Sequence, residues 1–169
     1  MTEARKFITY LDAMTPPSRI HPMKWSREEI YAELERLRQH PKKDPRAGTI
    51  VSLYNPSTGN LLGTTPSILA GFQWIEPGEH GQAHKHTFAG IYYVVRGRGY
   101  TIVDGKKIEW KEGDVLALPP WSFHENVNAD PAEPAILLGV FDLPLMMGLR
   151  ILLEEEFKGG YQPVVEVVP

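Results

Sequence analysis

From Thr49 to Phe141 the chain is cut into short runs rich in β-branched and aromatic residues, separated by proline, glycine and asparagine. Such runs read as strands, and their close succession reads as an all-β sandwich or barrel. Eight runs stand out: Thr49 to Tyr54, Ile68 to Ile75, His84 to His86, Ile91 to Arg96, Tyr100 to Asp104, Lys106 to Trp110, Asp114 to Leu118 and Ala135 to Phe141. Asp104-Gly105 has the composition of a type I′ hairpin turn, and Lys111-Glu112-Gly113-Asp114 makes a second turn. Arg96-Gly97-Arg98-Gly99 lies between two runs. It therefore reads as a tight turn whose glycines supply positive φ, not as an RNA-binding arginine-glycine segment.

The flanks differ in texture. Residues 1–22 alternate short apolar groups with breakers such as Thr15-Pro16-Pro17 and suggest an arm laid over a surface. Ser26 and Glu29 have the spacing of a capping box, and Ile30, Leu34 and Leu37 form one apolar stripe, so a helix is expected to begin after Ser26 and to stop at Pro41. Lys42-Lys43-Asp44-Pro45 then reads as a solvated link. Beyond the strands, Leu145 to Glu156 reads as a second helix, with Asp142 or Pro144 near its start and Gly159-Gly160 beyond its end. Its Met146, Met147, Leu149, Ile151, Leu152 and Leu153 cover more than one face, and Val164 to Val168 is a bare strand able to pair with an edge of its own or a partner's sheet. This apolar excess implies a homodimer. The expected organisation is an arm and helix over residues 1–48, a barrel over 49–142 and a helix with tail over 143–169.

Composition excludes several classes of function. With 169 residues the chain suffices for one domain with its own core, and its lack of cysteine rules out disulfides, zinc thiolates and cysteine nucleophiles. At 42% apolar residues, no run reaches the length of a membrane span, and the start of the chain at Met1 lacks the pattern of a secretory signal. A cytoplasmic location is the simplest expectation. The formal net charge of −3, with basic residues spread among acidic ones, argues against nucleic acid as a partner.

Histidines supply the candidate chemistry. His84 and His86 are two apart, so a strand presents both on one face, and His124 follows after strands that can return the chain beside its start. Neutral imidazoles in that arrangement suit iron, zinc, nickel or copper; polar surface or core histidines are the alternative. His80 reads as a surface-loop residue. Glu125 points away from the His124 face if the segment is extended. Trp74, Trp110 and Trp121 read as pocket wall and core, with aromatic stacking on a substrate as the sharper role. Neither a glycine-rich phosphate loop nor a Ser-His-Asp set is evident.

Gly78, His84, His86 and Gly97, followed by Gly113, Pro119, His124 and Asn128, match the two motifs of the cupins, which the sequence resembles. The resemblance implies a double-stranded β-helix, or jelly roll, with a metal inside. The glutamate usual after the second histidine is missing, since Gly90 and Ile91 stand there. His84-Lys85-His86-Thr87, Val94 to Thr101, Val103-Asp104-Gly105 and Trp121-Ser122-Phe123-His124 are similar to the gentisate 1,2-dioxygenase group, including 1-hydroxy-2-naphthoate dioxygenases. Asn55-Pro56, Thr58-Gly59, Ala70-Gly71-Phe72-Gln73 and Phe141-Asp142-Leu143-Pro144 extend that likeness over roughly residues 50–155. Within it, His84, His86 and His124 are the expected ligands of iron(II), with nickel, zinc or manganese as other divalent occupants. Gln73, Tyr92, Asn126 and Trp121 are the expected substrate-binding residues, and no catalytic residue is implied beyond the metal centre. The expected partners are a small aromatic or enolic acid and dioxygen. Tyr92 stands where these enzymes place an arginine and Asn126 where they place a histidine, so the cationic substrate clamp is altered; Arg46, Arg96 and Arg98 are possible substitutes. Two other readings remain: a non-catalytic cupin that binds or senses a small molecule, and a metal-independent isomerase or epimerase, which requires an acid-base pair.

Overall fold

The computed structural model describes residues 7–14, 19–40 and 43–168. The signal reading at Met1 to Lys6, the Thr15-Pro16-Pro17 breaker and the Pro41 helix stop lie outside the described residues. Two helices come first: α1 (Tyr10–Met14) and α2 (Arg27–Arg38). The capping box opens α2 as expected. Glu29 N–H donates to the Ser26 hydroxyl at 3.1 Å and Ser26 N–H donates to the Glu29 carboxylate at 2.7 Å. The α2 stripe of Ile30 and Leu34 packs on Val51, Trp74 and Ile136, so the helix covers the outside of a sheet.

The strands follow as β1 (Thr49–Ser52), β2 (Leu69–Ile75), β3 (His84–His86), β4 (Gly90–Arg96), β5 (Arg98–Val103), β6 (Lys106–Lys111), β7 (Val115–Leu118), β8 (His124–Asn128) and β9 (Ala135–Phe141), then α3 (Leu143–Gly148), β10 (Glu154–Glu156) and β11 (Glu166–Val168). They form a five-stranded sheet in the order β1-β2-β9-β4-β7 and a six-stranded sheet in the order β10-β3-β8-β5-β6-β11. Consecutive strands repeatedly switch sheets, which gives the jelly-roll architecture expected from the sequence. Between the sheets, Ile75, Val94, Trp110, Leu116, Leu118 and Leu137 form the inner core. The β5–β6 hairpin turns at Asp104 (φ 46°) and Gly105 (φ 79°), the two positive φ values a type I′ turn requires.

Two expectations are corrected. β8 was absent from the expected strands because His-Glu-Asn-Val-Asn has little β propensity, yet all five of its residues are buried. Its strand character comes from tertiary cover on both faces. The second helix stops at Gly148, well short of Glu156, and Arg150 adopts φ 58°. The following residues instead pair antiparallel with β3, in the register Glu154↔His86 and Glu156↔His84. Local helix propensity is outweighed there by the need to satisfy the open edge of β3. The valine-rich tail takes the first of its two expected partners, pairing in parallel with this chain's own β6. Among the described residues, no helix is long and apolar enough to cross a membrane.

Candidate metal centre

The three histidines come from two adjoining strands. His84 sits directly opposite His124 in the β3–β8 pair, and His86 projects from the same face of β3. Ring centroids lie 4.5 Å apart for His84 and His124, 4.7 Å for His86 and His124, and 5.6 Å for His84 and His86. One nitrogen from each ring lies within 4.8 Å of the others.

Each ring is oriented by a carbonyl two residues away. Nδ1 of His84, His86 and His124 meets the carbonyl oxygens of Gln82 (3.1 Å), Phe88 (2.8 Å) and Ser122 (3.0 Å). A carbonyl only accepts, so Nδ1 carries the hydrogen in all three rings and the lone pair is left on Nε2. Nε2 of His124 is buried with no hydrogen-bond partner, an arrangement that costs free energy unless something electrophilic meets it. Burial, reinforced by the neighbouring imidazoles, depresses His124 to about 3 and burial depresses His86 to about 4; burial lowers His84 as well. At neutral pH the cluster is therefore three uncharged imidazoles, the form that binds a metal. His86 is further fixed by stacking on Phe88, with centroids 3.3 Å apart.

The cluster opens into a cavity of about 220 Å³ that also contacts Gln73, Tyr92, Asn126, Phe88, Phe141 and Leu143. Gln73, Tyr92 and Asn126 are thus brought together with the histidines. Trp121 is not: it adopts φ 62°, is 43% exposed, and its ring lies 4.5 Å from Lys85 Nζ outside the cavity lining. Trp74 and Trp110 belong to the outer and inner cores respectively. His80 packs its ring 4.2 Å from Tyr161, with Nε2 3.3 Å from the buried Glu125 carboxylate, so it braces the C-terminal segment instead of a free loop. Glu125 does point away from the cavity, and accepts the Gln162 N–H at 3.2 Å. Burial raises its pKa.

Among the expected arginine substitutes, Arg46 alone reaches the cavity lining, where it is held by Asp44 at 2.8 Å and Glu154 at 3.2 Å. Arg96 and Arg98 pair with Glu133 and Asp130 outside that lining. Asp44 and Glu154 were missed as site residues. Asp44 sits in a link that reads as solvated, and Glu154 in a segment that reads as helix.

A family model described as a cupin domain matches residues 71–141. A 5-nitrosalicylic acid 1,2-dioxygenase from a Bradyrhizobium species is 30% identical over 146 residues, covering 82% of this chain and 68% of that one. The chain belongs to the cupin family. This cupin is also 36% identical over 113 residues to gentisate 1,2 dioxygenase 1 of Aquipseudomonas alcaligenes, covering 66% of this chain and 31% of the relative. The salicylate 1,2-dioxygenase structure from Pseudaminobacter salicylatoxidans superposes with a TM-score of 0.77 at 24% identity, over 86% of this cupin and 43% of that chain. This cupin thus spans less than half of that structure, and about a third of the gentisate enzyme.

Proposed function

We propose that this cupin is a metal-dependent dioxygenase that holds iron(II) through His84, His86 and His124 and opens the ring of a small aromatic or enolic acid. The observation carrying the reading is the set of three neutral imidazoles whose Nδ1 atoms are each committed to a carbonyl, with no carboxylate in the group. Their donor chemistry suits a divalent transition metal. Bound there, iron(II) would keep its full charge and supply open positions at which a chelating substrate and dioxygen meet.

The chain's own residues bind and orient the substrate and exclude water. Phe88, Phe141 and Leu143 give the cavity an apolar side suited to a ring, while Tyr92, Gln73 and Asn126 give it a polar wall. The relatives named for gentisate and 5-nitrosalicylic acid support this substrate class. Anaerobic iron loading followed by oxygen uptake with gentisate, salicylate and 1-hydroxy-2-naphthoate tests the reading. Metal-dependent uptake with at least one member of such a panel is expected. Uptake with none, alongside tight binding without turnover, would instead establish a non-catalytic binding cupin.

Assembly as a homodimer belongs to the same proposal. Leu149, Ile151 and Leu153, close together in sequence before β10, leave half or more of their surface exposed, apolar area that a subunit contact would cover. Light scattering is expected to give twice the 19.1 kDa chain mass, and a monomer at working concentration would remove the idea.

A further inference from the structure

At the usual strand spacing a five-stranded sheet is roughly 20 Å across, room for two helices packed side by side on its outer face. The fold supplies one. α2 rests on Val51, Trp74 and Ile136, toward the β1 side of the sheet. On the β4 and β7 side, Ile91 and Tyr93 alternate with the core residues Tyr92 and Val94, and so face outward, paired with Ala117 and Val115. Ile91, Tyr93 and Val115 are 43–63% exposed. Between this surface and α2 lies a groove of about 490 Å³ lined by Ile30, Tyr31, Phe72 and Val95, with the exposed Arg27, Arg96 and Glu112 around it.

The same chain carries a helical stripe that has no seat. Phe7, Tyr10, Leu11 and Met14 recur at i, i+3, i+4 and i+7, the spacing of one helix face, and α1 forms over the last five residues of that stretch. All four are 65–89% exposed, and no residue of α1 is buried. A helix this short does not hold in water by itself, so its form calls for a packing surface, and its own barrel does not provide one. Charge matches as well. Asp12 is the single charged residue between Phe7 and Met14, and Arg27 beside the groove lies over the Tyr31 ring, 5.1 Å from its centroid, with no carboxylate partner among the described residues.

We propose that two copies of this chain exchange N-terminal arms, the stripe from Phe7 to Met14 of each lying beside α2 on the β4 and β7 side of the other's five-stranded sheet. Arm exchange rests on the homodimer reading above and gives it a surface. Reciprocal docking is what a two-fold axis requires, since the arm of each copy then meets the seat of the other. With four large apolar side chains on each arm, two arms and two seats cover on the order of 1,600 Å², the size of a standard stable interface. Asp12 is the anion that Arg27 lacks within its own chain.

Because the chain has no cysteine, the contact can be read by introducing one residue at a time. Met14→Cys chains are co-expressed with differently tagged Val115→Cys or Tyr93→Cys chains and treated with a short bismaleimide, which joins them if an arm lies on another copy's sheet. Lys158→Cys, exposed in the turn after β10, serves as the collision control. Covalent dimer is expected in about tenfold higher yield from either sheet position than from the control, and Met14→Glu is expected to weaken the wild-type dimer about tenfold in sedimentation equilibrium. Control-level yields at both sheet positions would overturn arm exchange, as would a link formed only when both cysteines are on one chain, the mark of an arm folded onto its own sheet. A wild-type dimer with control-level yields leaves the homodimer reading standing without the exchange. A wild-type monomer removes both.

Discussion

Replacing His124 by alanine is expected to abolish stoichiometric metal binding, lowering affinity by roughly a hundredfold or more. Loss of a group that merely orients a ligand already costs 10–100-fold, and here a ligand itself is lost. Metal analysis after loading and desalting reads the result; retention of one equivalent of metal would remove His124 from the ligand set. The same variant has a second, independent signature in metal-free protein. Burial holds His124 at about 3 and His86 at about 4 in the folded chain, against 6.5 for an unperturbed histidine. As pH falls below 6.5 the unfolded chain takes up these protons first, so stability is lost progressively between pH 6.5 and the folded values. For His124, which is 2% exposed, the loss between pH 6.5 and 4.5 is on the order of 2 kcal/mol. Urea denaturation of wild type and His124→Ala across that window should show the shallower decline in the variant. Parallel declines would mean that His124 titrates normally.

How much of this centre was legible follows from which interactions are local. His84 and His86 are joined by strand periodicity alone, and three histidines in one β-rich unit make the cluster readable once antiparallel return is assumed. The carbonyls that fix the three Nδ1 atoms lie two residues away along the chain, but whether they turn inward depends on backbone geometry that composition does not encode. The hydrogen-bonded row from Trp110 through Thr101 and Asn126 to Gln73 is less legible still. Trp110 and Thr101 stand on neighbouring strands, Asn126 on a third and Gln73 on the opposite sheet, so only the closed barrel brings them into line. Trp121 shows the reverse error. Its aromatic character suggested a substrate wall, but a left-handed backbone carries it outward onto Lys85.

The fold divides along similar lines. Strands with alternating apolar residues, the Asp104-Gly105 turn and the Ser26 cap were readable because each depends on a few adjacent residues. β8 was not, since its polar residues are stabilised by partners on both faces: Asn126 meets Thr101 and Gln73 on one, while Glu125 lies under Gln162 on the other. For the segment after Gly148, the neighbour that decides its structure is the edge of β3, more than sixty residues earlier. Thr87 holds it there, donating to the Ile151 carbonyl at 2.8 Å and accepting the Leu153 N–H at 3.0 Å.

Asn128, at the end of β8, is where loss of a single side chain is expected to cost the fold most. It is 1% exposed, and its amide nitrogen donates to the carbonyls of Ile75 (3.2 Å), Glu76 (3.0 Å) and Glu133 (2.8 Å), while its oxygen accepts the Asp130 N–H at 3.0 Å. One amide thus ties β8 to the end of β2 and to the turn before β9. Asn128→Ala would take these donors from the Ile75 and Glu133 carbonyls in a buried site, at about 3 kcal/mol, while the Glu76 carbonyl keeps the Glu79 N–H at 3.0 Å. Asn128→Asp distinguishes this from simple loss of volume. It keeps the shape and the acceptor for Asp130 but places a carboxylate against three carbonyl oxygens, so it is expected to destabilise at least as much as alanine at neutral pH. Urea midpoints decide the matter: an aspartate variant close to wild type would show that the amide hydrogens are dispensable. Because β8 carries His124 and Asn126, the alanine variant should lose metal affinity along with stability, with far-UV circular dichroism confirming that the barrel persists under the conditions of the metal assay.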